Sequence, residues 1–367
     1  MQRKGVFVVE SCNKKSKEEK RREERRKMFD RYLKSVVEGD YLNSEEAYLT
    51  ARMLLHEDIP EIKAAAFLSA LRTRKESQEE LTGFVQALYE EAKIVDCEME
   101  VLDTCGTGGD GLGTFNISTA SALVVASCGV AVAKHGNRAV TGKVGSADVL
   151  EALGVGVQLE PDEARQLLDK AGITFLFAPH YHPILKQVGG LRRGLGIATI
   201  FNFLGPLLNP CRPSYQVLGI SDSNLQEAVA GTLQRLGRKR ALVLHAFNGM
   251  DEISPEGKTR VFDVGEHGLE VFDIDPLELG IGGFSLDAIQ GGDAAASARL
   301  VIKVLQGEPG PYRDTVILNT AAALLTAGRA KDMQEGMQMA AEAIDAGKSM
   351  ETLQKMISFS RDRVLAC

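Results

Sequence analysis

Three stretches hold residues whose types and spacing suit chemistry on a charged ligand. The first, Asp103-Thr-Cys-Gly-Thr-Gly-Gly-Asp-Gly111, sets Gly106, Gly108, Gly109 and Gly111 around Asp110. Glycines let backbone N–H groups come close to a ligand, and a run of such donors favours an anion. Thr114, Asn116, Ser118 and Thr119 follow at the start of the apolar helix pattern ISTASALVVAS, and helix N-termini favour phosphate. The second stretch, Lys134-His-Gly-Asn-Arg138, places polar and charged side chains around a glycine after a β-branched run, with Lys143 and the turn Gly145-Ser146 beyond it. No Asp or Glu occurs from Gly111 to Ala147. An acid-free segment with three cations and this many donors suits a pyrophosphate plus a further phosphate. The third stretch, Asn248-Gly-Met-Asp251-Glu252, follows the apolar run ALVLHA. Alone, two adjacent carboxylates read as solvated loop charge. Beside a polyphosphate they become magnesium ligands, because Mg²⁺ takes one or two carboxylates and shares the substrate's oxygens.

Gly106, Gly108 and Gly111 also fit the dinucleotide pattern G-x-G-x-x-G, but that motif needs an acidic residue ~20 positions on to hold ribose hydroxyls. The acid-free stretch removes it, so NAD is excluded. A P-loop is excluded because no Gly-Lys-Ser/Thr closes the glycines.

These residues need a scaffold. The chain has 367 residues, 44% hydrophobic and 25% charged, the balance of a globular protein with one large or two ordinary domains. Residues 11–27 hold nine Lys/Arg and four Glu, and read as a solvated tail. Domain boundaries are expected at 1–27, a charged tail, disordered or a frayed helix; 28–97, a small all-helical domain; and 98–367, an α/β domain, with the helical segment 161–195 either packing on the sheet or returning to the helical domain. In the helical part, Asn43 with Glu46 and Ser77 with Glu80 make capping boxes, and Pro60 suits a helix start. After residue 97, short β-branched runs alternate with helical patterns: VAVAKH (130–135), TFLFAP (174–179), ATIFNF (198–203), YQVLGI (215–220) and ALVLHA (241–246). The expected fold class is α/β, with a mainly parallel central sheet flanked by helices and a smaller all-helical N-terminal domain. Residues 311–365 are again Ala- and Leu-rich helix.

Composition narrows the function classes. Net charge is −7, against a nucleic-acid binder. Six scattered Cys without C-x-x-C spacing read as reduced thiols, hence a cytoplasmic enzyme. No apolar run reaches the ~18–20 residues that span a bilayer, and the charged N-terminus lacks the apolar core of a signal peptide. No membrane association is expected.

In GTGGD (106–110), TFNIST (114–119), KHGNR (134–138), GSADVLEALG (145–154), PHYHP (179–183), FNFLGPLLNP (201–210) and MDEIS (250–254), the chain resembles the anthranilate phosphoribosyltransferases of tryptophan biosynthesis. The resemblance runs from about residue 28 to the C-terminus. It implies a homodimer formed through helical domains, phosphoribosyl pyrophosphate as donor, anthranilate as acceptor and two Mg²⁺ ions per site. It assigns the donor to Gly106, Gly108, Gly109, Asp110, Thr114, Asn116, Ser118, Thr119, Lys134 and Ser146. It assigns one magnesium to Ser118 and the other to Asp251 and Glu252. His135, Asn137, His182 and Arg192 match positions lining the path and site of anthranilate. No residue is assigned as an obligatory acid or base. The chain departs from the family's usual Ser-Ser-Lys-Ser at Thr141-Gly-Lys-Val144, from Lys-Gly-Glu-Thr at Arg74-Lys-Glu-Ser77, and from Arg at Ala198. Two other readings stay open. One is a related phosphoribosyltransferase or phosphorylase with another acceptor. The other is a non-enzymatic nucleic-acid-binding relative, against which the intact glycine loop and acidic pair speak.

Overall fold

The computed structural model describes residues 4–56, 59–139, 144–266 and 268–366. The chain divides into a helical unit, Met1–Glu90 with Ile184–Phe201, and a larger unit, Glu91–Pro183 with Asn202–Cys367.

The helical unit contains α1 (Lys4–Val37), α2 (Ser44–His56), α3 (Glu61–Arg74) and α4 (Gln78–Glu90). Both capping boxes form: Glu46 N–H donates to Asn43 Oδ1 at 3.0 Å and Ser77 N–H donates to Glu80 Oε2 at 2.9 Å. These satisfy orphan donors at helix starts. The core is aromatic and aliphatic, with the Phe29 and Phe67 rings 5.5 Å apart and Phe84 edge-on to Phe201 at 5.9 Å. Glu80 is fully buried, which is tolerable because it also accepts from Leu42 N–H and pairs with Arg74. The charged run 11–27 lies within α1, and the helix's buried side chains, among those described, begin at Phe29 and continue through Tyr32 and Val36.

The larger unit is built on seven strands: β1 (Leu102–Gly106), β2 (Val132–Gly136), β3 (Ile173–Phe177), β4 (Tyr215–Gly219), β5 (Arg240–Ala246), β6 (Thr259–Gly265) and β7 (Gly268–Ile274). Their order is β3-β2-β1-β4-β5-β6-β7, parallel through β5 and antiparallel from there to the edge. Chain order runs outward from β1 in one direction and resumes at β4 in the other. That reversal makes a crevice beyond the carboxyl ends of β1 and β4, where open α/β sheets bind ligands. The pairing sets Gly106 at the end of β1 opposite Gly219 at the end of β4. Helix α5 (Ile117–Ser127), apolar nearly all round, is buried from Ile117 to Ala126 except Ser118. Helices α6 (Ser146–Ala152) and α7 (Pro161–Ala171) precede β3, a helix over Gln226–Arg235 connects β4 to β5, and four longer helices, the last ending at Ala366, follow β7.

One expectation is corrected, and two features went beyond the sequence. ATIFNF is not a strand: Ile200–Leu204 is a helix and Gly205–Leu208 a 3₁₀ turn. Ile200, Phe201, Phe203 and Leu204 are all buried, so no polar face marks the helix and its short apolar run cannot be told from a strand by periodicity. The antiparallel pair β6 and β7 was not anticipated. β7 has an exposed or half-buried surface along most of its length, so it lacks the apolar run of a central strand. The segment 161–195, which the sequence left open between the sheet and the helical domain, does both: α7 and β3 build the larger unit and Ile184 onward joins the helical one. No described helix is long and apolar enough to cross a membrane.

Candidate active site

Strand β1 delivers the chain into the glycine loop, and the loop ends on α5. Gly108, Gly109, Gly111 and Gly113 all have φ between 68° and 79°, the left-handed region that side chains with a Cβ resist. The loop is fastened on both flanks. Thr107 N–H donates to Gly219 O at 2.9 Å, Ser221 Oγ donates to Gly108 O at 3.2 Å, and Gly291 N–H donates to Gly113 O at 2.9 Å. These bonds fix where the loop's remaining N–H groups lie.

Asp251 reaches the loop from the turn after β5. It is buried, and its Oδ2 accepts from Gly108 N–H at 2.6 Å. Two glycines make room for it. A Cβ on Gly106 would sit 2.2 Å from Asp251 Oδ2, and one on Gly219 would sit 1.4 Å from Asp251 O. Ligand oxygens of Asp110, Asp251 and Glu252 lie within 4.8 Å of one another. Burial, then the charge of Asp110, pushes the Asp251 carboxyl up to about 6. Burial, then the charge of Asp251, raises Glu252 well above the usual carboxylate range. Three acids so placed repel one another, and a cation relieves them. The donors are all oxygen, which suits a hard divalent ion such as Mg²⁺ rather than a thiolate-seeking metal. Asp110's place beside the acidic pair is a finding beyond the sequence, where it read only as part of the loop.

Strand β2 supplies the next residues. Lys134 is buried; its ammonium donates to Thr104 O at 2.6 Å and to Ser118 Oγ at 3.2 Å. Burial lowers its pKa, with Asp103 the largest opposing influence. Asp103, fully buried, accepts from His135 N–H at 3.2 Å and from Gln216 Nε2 at 3.4 Å. Sequence reading passed over Asp103, because an acid inside a strand gives no sign of which cations will face it. The Thr119 hydroxyl near the start of α5 is buried without a protein partner. Asn116 Nδ2 donates to Val144 O at 3.4 Å, Thr114 bridges to Gln290, and Ser146 Oγ donates to the carbonyl of exposed Asn137 at 3.3 Å. Arg138 does not bring the unpaired cation expected of it: its guanidinium donates to Glu151 at 2.6 and 2.7 Å and to Asp148 at 3.1 Å on α6. Thr141 and Lys143 lie outside the described residues.

His135 and His182 form a second cluster. Their rings are 5.4 Å apart, edge to face, and both are buried. His135 Nδ1 bonds Gly205 O at 3.1 Å and His182 Nε2 bonds Leu208 O at 2.7 Å. A carbonyl only accepts, so those nitrogens carry the protons. His135 Nε2 and His182 Nδ1 are left with lone pairs and no protein partner. Burial drives the pKa of His135 to about 3 and of His182 to about 4, so both rings are neutral at pH 7. The carbonyls that orient them come from the 205–208 turn, and Asn209 anchors that turn by donating to Ala133 O at 2.7 Å. Arg192 lies in the helical unit, half-buried on the helix Gly189–Leu195, with Arg193 exposed beside it.

Comparison with known proteins identifies the family. Residues 98–350 match the a/b domain of the glycosyl transferase family and residues 30–92 its helical bundle domain. An anthranilate phosphoribosyltransferase of Syntrophomonas wolfei is 97% identical over 340 residues, covering 93% of this chain and all of that protein. The crystal structure of the Thermus thermophilus anthranilate phosphoribosyltransferase superposes with a TM-score of 0.84 at 38% identity, covering 90% of this chain and 99% of that one. The Saccharomyces cerevisiae enzyme in complex with phosphoribosyl pyrophosphate and Mg superposes at 0.83 with 27% identity, over 91% of this chain and 98% of that one. With a glycine loop fastened to a buried carboxylate at the crevice between β1 and β4, and with relatives this near, the chain belongs to the anthranilate phosphoribosyltransferase family.

Proposed function

We infer that the chain transfers the phosphoribosyl group of phosphoribosyl pyrophosphate to anthranilate, giving N-(5-phosphoribosyl)anthranilate and pyrophosphate in tryptophan biosynthesis. The observation that carries the reading is the trio Asp110, Asp251 and Glu252 against a loop of left-handed glycines. Such a site holds a polyphosphate through backbone N–H groups and a hard cation. In this reading Gly106, Gly108, Gly109, Thr114, Asn116, Ser118, Thr119, Lys134 and Ser146 bind the donor. Asp251 and Glu252, with Asp110, hold Mg²⁺; a second ion at Ser118 is the fuller form. Bound magnesium would neutralise charge that builds on the departing pyrophosphate.

The chain's own residues do the rest. Glycosyl bond breaking leaves an oxocarbenium-like sugar and an anionic leaving group. Loop N–H groups preset toward that anion cost no reorganisation, and losing one such donor typically costs ~2.7–4 kcal/mol. Lys134, buried and held by Thr104 O and Ser118, adds fixed positive charge close by. The aromatic amine of anthranilate is already neutral at pH 7 and needs no strong base. With pKa values of about 3 and about 4, His135 and His182 are poor bases. Their unpartnered lone pairs suit a different role, accepting from the amine N–H and orienting its nitrogen. Asn137 and Arg192 complete the acceptor set, with the guanidinium on the anthranilate carboxylate. A homodimer and a cytoplasmic location belong to the same proposal; the free thiols of Cys97, Cys105, Cys128 and Cys211 fit a reducing compartment.

A rate assay following anthranilate consumption with phosphoribosyl pyrophosphate, with and without Mg²⁺, tests the reading. Turnover that needs both substrates and the ion is expected. Failure to consume anthranilate in the complete mixture would overturn it.

A further inference from the structure

Away from the substrate residues, two thiols face one another. Cys97 Sγ and Cys211 Sγ are 3.0 Å apart, although 114 positions separate them in sequence. Cys97 is half-buried and Cys211 buried. The segments that carry them are already joined nearby, because Val95 N–H donates to Pro210 O at 3.2 Å. The turn carrying Cys211 is held from within: Cys211 N–H donates to Asn209 Oδ1 at 2.9 Å, and Arg212 takes the left-handed φ of 48°. The other thiols with described contacts face different partners. Cys105 Sγ lies 3.7 Å from Asp103 Oδ2 and Cys128 Sγ 3.7 Å from Met339 O.

We propose that Cys97 and Cys211 are a redox-active dithiol, which hydrogen peroxide converts to an intrachain disulfide. A disulfide needs sulfurs ~2.05 Å apart, so closing this pair takes about 1 Å of motion, within reach of side-chain rotation. Cys97 is the attacking sulfur: it is the more accessible, and a hydrogen bond from the Cys211 thiol favours its thiolate. It attacks a peroxide oxygen and the O–O bond breaks, leaving a sulfenic acid and, after proton uptake, one water. Cys211 then attacks the Cys97 sulfur and expels a second water. Two thiols give up two electrons and two protons, and one peroxide becomes two waters. Cys105 stays reduced, because it is buried, its thiol is pushed well up by that burial, and no second sulfur faces it among the described residues. The bond would tie the segment entering β1 to the 205–211 segment, whose carbonyls orient His135 and His182.

The test is stoichiometric hydrogen peroxide on the full-length protein, then blocking of free thiols under denaturing conditions and mass analysis without reductant. Expected are two fewer blocking groups than on the reduced protein, linked peptides containing Cys97 and Cys211, and reversal by dithiothreitol. Cys97→Ser and Cys211→Ser should each abolish the link, while Cys105→Ser leaves it intact. Sulfinic acid on Cys97 without a cross-link, or a cross-link that survives Cys211→Ser, would overturn the proposal.

Discussion

Gly108 N–H donates to Asp251 Oδ2 at 2.6 Å, joining residues 143 positions apart at the switch point of the sheet. This one bond fixes the glycine loop to the carboxylate trio. It also explains why Gly106 and Gly219 stand at the paired ends of β1 and β4: nothing larger leaves Asp251 its place.

Gly219→Ala should therefore be damaging. Its Cβ would meet Asp251 O at 1.4 Å, with backbone on both sides of the clash. Activity should fall at least about 100-fold, equivalent to ~2.7 kcal/mol in barrier, and thermal unfolding should shift down. Gly257→Ala, with nothing within 4 Å of its Cβ, is the control and should stay within about threefold. Steady-state rates and melting curves of the two variants decide it.

Asp251→Asn and Glu252→Gln should each lower activity about 100-fold or more while leaving the circular dichroism spectrum unchanged. High Mg²⁺ should restore part of the loss if the pair holds the ion. Wild-type rates in either variant would rule the pair out.

Magnesium binding should depend on pH. The folded, ion-free protein keeps protons on Asp251 and Glu252 above the ordinary carboxylate range, where the unfolded chain has released them. Stability without the ion therefore falls as pH rises from ~4 through about 6 and beyond. Below that window the ion must displace protons; above it the penalty is what the ion removes. Scanning fluorimetry should show Mg²⁺ raising the melting temperature by several degrees at pH 8 and much less at pH 5. Equal shifts at both pH values, or an undiminished shift in Asp251→Asn, would contradict the assignment.

Arg192→Ala should raise the KM for anthranilate tenfold or more, about 1.4 kcal/mol, and leave that for phosphoribosyl pyrophosphate within about twofold. Arg193→Ala, changing the exposed neighbour, should do much less to either. A variant at Arg192 that weakens the sugar donor and spares anthranilate would place the acceptor elsewhere.

Removing residues 1–27 should leave the catalytic rate within about twofold, ~0.4 kcal/mol. Among the described side chains of α1, the buried ones, Phe29, Tyr32 and Val36, all survive that cut. A tenfold loss in initial rate would make the charged run part of the working enzyme.

The division between sequence and tertiary structure follows from which interactions are local. Capping at Asn43 and Ser77, the glycine loop before an apolar helix, and the alternation of helix with β-branched strand are set within a few residues, so they read directly from the chain. The acid-free stretch and the Asp251–Glu252 pair were legible too, because charge and donor type are properties of the residues themselves. Position across the sheet was not. Asp110 joins the acidic pair only because β1 and β5 flank β4. Asp103 matters because β2 turns the backbone of His135 and the ammonium of Lys134 toward it. Arg138 looked like a phosphate ligand until α6 brought Asp148 and Glu151 to it. ATIFNF is helical from Ile200 although it reads as a strand, because its apolar residues Ile200, Phe201 and Phe203 are all buried and leave no periodic polar face to read. Local pattern names the groups that can do chemistry; long-range packing decides which of them meet, which are neutralised and how far each pKa moves.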